Sequence, residues 1–308
     1  MLKFILPLLF LLPGGAYAAV PGFKLDAFTL QALREMPRPP APAVPLRTDR
    51  PTSEKYFNSY ILKAVAYLYA DYGLKGYDIN SILTHDITYH TFGVIPARRA
   101  PLTMCVAAQM EIILTAFELY AKETGDFTVY DYLPKRSFEG LAITDLKGHI
   151  WVNHAFKADG TADALINFGM GERRPFENLS PGDFVNINRT TKTGHAVTFI
   201  GYINSTGKMQ AQYNSTVVGF KYFSSQGRAA AGEGGFDYRY AVFSQFGCPQ
   251  MPYKRDCEVI YSADQRMLNT GTMLSPGSWT GVMPQASEET QGETVLKSTY
   301  FNGITTDD

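Results

Sequence analysis

Three cysteines stand in a chain that opens like an exported protein, and their spacing separates them by role. Cys248 and Cys257 bracket CPQMPYKRDC, a short loop rich in proline and charge that a disulfide would close, at a gain of about 2–3 kcal/mol in the chain-entropy picture. Cys105 is the one left over. In an oxidising compartment a lone thiol is either buried and inert or kept because it reacts. It lies at the start of MCVAAQMEIILTAFELYAKETG, a helical stretch apolar almost all round, for which Thr103 is the expected N-cap and Gly125 the stop. In a first turn the unpaired backbone N–H groups and the helix dipole favour an anion, and hence a thiolate. The same groups would stabilise the oxyanion formed when a thiolate attacks a carbonyl. Weighed alone, such a Cys is as often a small core residue.

His195 supplies the base that a reactive thiol needs. In GHAVTFIGYI it follows a glycine at the mouth of an apolar strand, where an imidazole faces a cleft and accepts a proton. Judged in isolation, it reads equally as a surface histidine beside a turn. A third polar group is expected to occupy the other ring nitrogen. In YFSSQG, residues Tyr222, Ser224 and Gln226 share one strand face by the period of two. Gln226 is the first choice, because a carboxamide oxygen accepts an imidazole N–H; Ser224 and Asn214 are its rivals.

Other chemistries find less. His85, Asp86 and His90 in HDITYH, like His149 and His154, lack the HExxH spacing of a zinc protease, so neither a metal nor another cofactor is expected. No GxSxG elbow points to a serine nucleophile. Arg98 and Arg99, just ahead of the nucleophile stretch, are a solvated loop or a clamp for a substrate carboxylate. With 28 basic and 29 acidic side chains and no dense basic block, nucleic acid is not an expected partner.

The elements that must position these residues come in two groups. Tyr56, Tyr60, Ala64, Val65, Leu68 and Tyr72 fall at helical spacing up to Gly73, and the Cys105 helix follows an irregular stretch over 77–102. Beyond these, residues 140–156 read as a strand pair and Thr161 to Phe168 as a short helix. Pro181-Gly182-Asp183 turns into a strand, and GHAVTFIGYI, VVGFKYFSSQ and FDYRYAVFSQ read as further strands. Helices first and strands afterwards is the α+β pattern.

The segments LSPGDFVNINRTTKTGHAVTFIGYI and APLTMCVAAQMEII resemble the papain-like cysteine amidohydrolases and peptidases of the NlpC and CHAP type. The resemblance covers about 95–245 and is one of pattern and order. It implies a nucleophile helix packed on an antiparallel β-sheet, with Cys105 as nucleophile and His195 as base. ARRAPLTMC lacks the glutamine that papain carries ahead of its nucleophile, so a second oxyanion donor is expected from Tyr89 or His90. Tyr89, Arg99 and Ser224 are the candidate substrate-binding residues. The spacing from Cys105 to His195 exceeds that of compact NlpC domains, which makes 126–175 an insertion.

Lys3, the apolar run from Phe4 to Leu12 and Ala16-Tyr17-Ala18 make 1–18 an expected signal peptide, too short in its apolar part for a permanent anchor. Residues 19–52 form an N-terminal segment and proline-rich linker, 53–284 the catalytic domain and 285–308 a polar tail. The expectation is therefore a periplasmic or secreted hydrolase acting on amide bonds of peptidoglycan or peptide. An inactive binding module on the same fold and a secreted protease or transglutaminase-like enzyme are the alternatives. No residue indicates an inhibitor or immunity partner.

Overall fold

A computed structural model of the chain describes residues 55–132, 160–188, 194–243, 246–249, 257–260 and 268–280. The expected signal peptide, the proline-rich linker, the strand pair over 140–156, His149, His154 and the C-terminal tail lie outside the described residues. So does the side chain of Cys257.

Helix α1, Asn58–Tyr72, buries Tyr60, Ile61, Ala64, Val65 and Leu68, and gives way at Gly73, whose N–H bonds back to Tyr69 O. Helix α2, Cys105–Thr124, is buried on nearly every side, as its continuous apolar sequence requires, and ends at Gly125 in the left-handed conformation that glycine adopts without a Cβ clash. Its N-cap is Met104 rather than the expected Thr103, with the Met104 sulfur accepting from Ala107 N at 3.3 Å. Thr103 is committed elsewhere. It forms a parallel bridge with Tyr77, and its carbonyl accepts from Asp78 N and from the Ser225 hydroxyl, which holds it extended. Two shorter helices are α3, Val129–Tyr132, and α4, Thr161–Asn167.

A small hairpin pairs β1, Ile87–Thr88, with β2, Val94–Ile95, inside the stretch expected to be irregular. The main sheet has eight strands: β3 (Gly171–Arg173), β4 (Phe184–Asn188), β5 (Gly194–Asn204), β6 (Met209–Gln210), β7 (Val217–Gly227), β8 (Gly234–Phe243), β9 (Cys257–Ile260) and β10 (Leu268–Met273). Their order is β3-β10-β4-β5-β7-β8-β9, with β6 paired to β5. Every pairing is antiparallel except β8 with β9, so the sheet is mixed at one edge rather than wholly antiparallel. The chain is α+β.

Strand parity divides the core. Phe184, Phe223 and Phe236 pack on one face against α1 and α2 residues such as Ile61, Leu68, Ile113 and Phe117. Val185, Val197, Phe199, Phe220 and Tyr222 form the opposite face with Phe176 and Phe243. With both faces covered, β5 buries all but a few of its residues, which is why its sequence reads as a nearly unbroken apolar run.

The Pro181-Gly182-Asp183 turn ties helix to sheet. Asp183 is buried, and its carboxylate accepts from Ser180 N at 2.7 Å, Asn58 Nδ2 at 2.7 Å and Arg174 at 3.0 Å. Burial pushes this carboxyl above its ordinary range, against the pull of those donors. Asp183→Ala strands three part-buried donors together, and the expected loss is about 2–4 kcal/mol in denaturant unfolding. A midpoint unchanged from the parent would show that the turn is held by its glycine and proline alone.

Candidate active site

Cys105 is the first residue of α2 and the one free cysteine among the described residues; Cys248 is disulfide-bonded. Two of the first-turn donors are already used, Ala107 N by the Met104 sulfur and Ala108 N by Met104 O. The N–H groups of Cys105 and Val106 have no acceptor among the described residues. An oxygen placed beside the sulfur would meet both, and no acidic residue in the first turn opposes negative charge there.

His195 is the second residue of β5, and Gln226 the last but one of β7. Thr198 pairs with Phe223, and the same register continued along both strands sets His195 across from Gln226. The two side chains meet at 3.3 Å, His195 Nε2 to Gln226 Oε1. The Gln226 amide nitrogen faces Ser224 O at 3.3 Å and Asp237 O at 3.4 Å. Those carbonyls accept only, so the nitrogen must point to them and the amide oxygen to the imidazole. It follows that Nε2 donates to Gln226, which in the neutral ring leaves the lone pair on Nδ1. This is the tautomer of a base. The Tyr222 ring lies edge-on to the imidazole at 5.5 Å between centroids, and Ser224 Oγ donates to Ala196 O at 2.6 Å. The group is dry: His195 is 2% exposed and Gln226 and Ser224 are fully buried.

Three hydrogen bonds join the start of α2 to this rim of the sheet. Ser225 Oγ donates to Thr103 O at 3.1 Å, just ahead of Cys105. One turn beyond it, Gln109 Nε2 donates to Ala196 O at 3.2 Å, and Gln109 Oε1 accepts from Thr198 Oγ1 at 2.7 Å. The helix therefore meets β5 and β7 through residues adjacent to His195 and Gln226. By parity Ala196 and Thr198 face α2, whereas His195 shares its face with Val197 and Phe199 at the end of the strand. Among the described residues no hydrogen bond joins the Cys105 sulfur to the imidazole.

No family model matches the chain, and no curated protein or solved structure matches it either.

The remaining candidates scatter. Tyr89 is fully buried and edge-on to Tyr130 at 4.8 Å, and burial pushes its phenol far above the ordinary range. It sits in the core rather than on an open surface, where it would have to be to touch substrate or supply an oxyanion donor. His90 stacks on Phe127 and Tyr130 at the tip of the small hairpin. Arg99 is exposed before α2 and pairs with Asp78 at 2.7 Å. Asn214 bonds Thr216 and Gln210 in an exposed turn at the end of β7 opposite Gln226, which separates it from the imidazole. His85 and Asp86 have separate partners, His85 beside Thr84 and Glu111 and Asp86 accepting from Ala97 N. Sequence reasoning passed over Gln109, Ser225 and the buried Glu111. The available signal was a lone amide one turn beyond the thiol in an otherwise apolar helix.

Proposed function

We propose that this chain is an exported papain-like cysteine hydrolase that cleaves amide bonds, with the peptide of bacterial cell wall as its substrate. The observation that carries the reading is the His195–Gln226 pair, its amide oriented to accept from Nε2, at the end of the strands that meet the helix start bearing the Cys105 thiol, where the Cys105 and Val106 N–H groups have no acceptor among the described residues.

In this mechanism Nδ1 of His195 takes the Cys105 proton, and the thiolate adds to the amide carbon. The carbonyl becomes an oxyanion held by the N–H groups of Cys105 and Val106. Collapse breaks the C–N bond, and the amine leaves with the proton returned by the imidazolium. Water then attacks the thioester, giving up its proton to Nδ1; the carboxylic acid departs and the thiol is restored. Gln226 keeps the ring in the working tautomer throughout. The choice of cell-wall peptide comes from the resemblance to NlpC and CHAP enzymes together with the export signal read in 1–18. Incubation with purified sacculi and with linear peptides, followed by mass spectrometry of soluble products, tests it. Stem-peptide fragments with a newly formed carboxylate are the expected result; cleavage of linear protein chains alone would replace the wall substrate with a general protease.

Two observations favour a binding module instead. Cys105 is only 7% exposed, and among the described residues no hydrogen bond joins its sulfur to the imidazole. Iodoacetamide separates the two readings, since a working thiol is alkylated in the folded protein at neutral pH and a sealed one only on unfolding.

A further inference from the structure

Gln109 is fully buried one turn into an apolar helix, where an amide costs free energy unless every polar atom is matched. Both ends of it are matched, and both on β5: its nitrogen donates to Ala196 O and its oxygen accepts from Thr198 Oγ1. A leucine or methionine would fill the same volume, so the amide supplies something that packing does not. Apolar contacts let a helix slide or turn over a sheet by a fraction of an ångström at little cost, whereas two opposed hydrogen bonds fix both register and rotation.

What they fix is the thiol. Residues four apart share a helix face, so the face that Gln109 presses onto Ala196 and Thr198 is the face from which Cys105 projects one turn earlier. Toward the N-terminus of α2 the helix crosses from Ala196 on β5 to Ser225 on β7, at the end of the strands where His195 and Gln226 stand. The Ser225 bond to Thr103 O pins the chain on the other side of Cys105. We infer that Gln109 is a positioning residue that fixes where the Cys105 sulfur stands at the His195 end of β5, by locking α2 to that strand. This rests on the Cys105–His195 chemistry proposed above.

The test reads the thiol directly, without a substrate. The rate of iodoacetamide alkylation of Cys105 is measured in the folded protein from about pH 5 to about pH 9, with the modified residue mapped by mass spectrometry. Parent, His195→Ala, Gln109→Met and Thr198→Val are compared. The parent is expected to react already on the acid side of neutrality, and His195→Ala to lose that acid limb. Gln109→Met is expected to lose it too, with a fall of about tenfold near pH 6, while its circular dichroism and cooperative melt persist. Thr198→Val keeps the bond to Ala196 O and is expected to shift the profile the same way by less. Should Gln109→Met fail to melt cooperatively, the Thr198→Val shift decides. A parent-like profile in both, with the limb lost in His195→Ala, overturns the positioning role and leaves the proposed chemistry standing. A parent-like profile in His195→Ala sinks that chemistry, and the role of Gln109 with it.

Discussion

Cys105→Ala is expected to leave no hydrolysis of sacculi above background, a loss of about a thousandfold or more, because the covalent intermediate has no other atom on which to form. The melt should barely move. The sulfur makes no hydrogen bond among the described residues, so alanine strands no partner and leaves a void of about one atom. Stability should then drop by about 1 kcal/mol at most. The pairing of the two readouts gives the test its force. A variant that is both inactive and unfolded would make Cys105 a core residue, and a variant that digests sacculi as the parent does would remove it from the chemistry. Cys105→Ser refines the point. It keeps the shape and the first-turn environment but offers a hydroxyl that is not ionised near neutral pH, so it too should be inactive.

Much of the scaffold around this thiol is legible in the sequence, for reasons that differ by element. Gly73 and Gly125 end their helices where an apolar period runs out, and β5, β7 and β8 are dense enough in aromatic and β-branched residues to be read directly. β10 is different. LNTGTM carries Asn, Thr and Gly, and it forms a buried strand only because β4 and β3 supply ladders on both of its edges. Long-range pairing decides such a strand, and no local pattern announces it. The parallel β8–β9 pair is hidden in the same way. At the helix start, Thr103 has the better capping side chain, but its carbonyl is claimed from two sides, and the cap passes to Met104. Within the candidate site, parity along YFSSQG puts Tyr222, Ser224 and Gln226 on one face and the carboxamide favours Gln226 among them; what neither supplies is the register that sets Gln226 across from His195. Tyr89 misleads for the opposite reason. A tyrosine in an irregular loop reads as exposed, and here the small hairpin folds it into the core against Tyr130. Gln109 is the instructive omission. In sequence it interrupts an apolar helix and looks incidental; only the neighbouring strand gives both of its polar ends a use.

The His195–Gln226 pair makes the second large prediction, and it concerns how two losses combine. His195→Ala removes the base and the later proton donor together, and kcat on sacculi is expected to fall about a thousandfold. Gln226→Leu leaves the imidazole but removes the acceptor that selects the Nε2–H tautomer, so a fall of about ten- to a hundredfold is expected, in kcat rather than KM. Gln226 reaches the reaction only through His195, since its oxygen faces Nε2 and its nitrogen is occupied by Ser224 O and Asp237 O. The double variant should therefore be no slower than His195→Ala alone. Independent contributions would multiply instead, and that outcome would make Gln226 a contact to substrate. A Gln226→Leu enzyme with parental kcat would place the histidine on a purely structural footing, because a ring whose orientation does not matter is not passing protons. Loss of the buried amide also costs stability, by about 1–2 kcal/mol, so both variants are compared at a temperature well below their melts. Under that condition the kinetics report the ring, and stability does not enter.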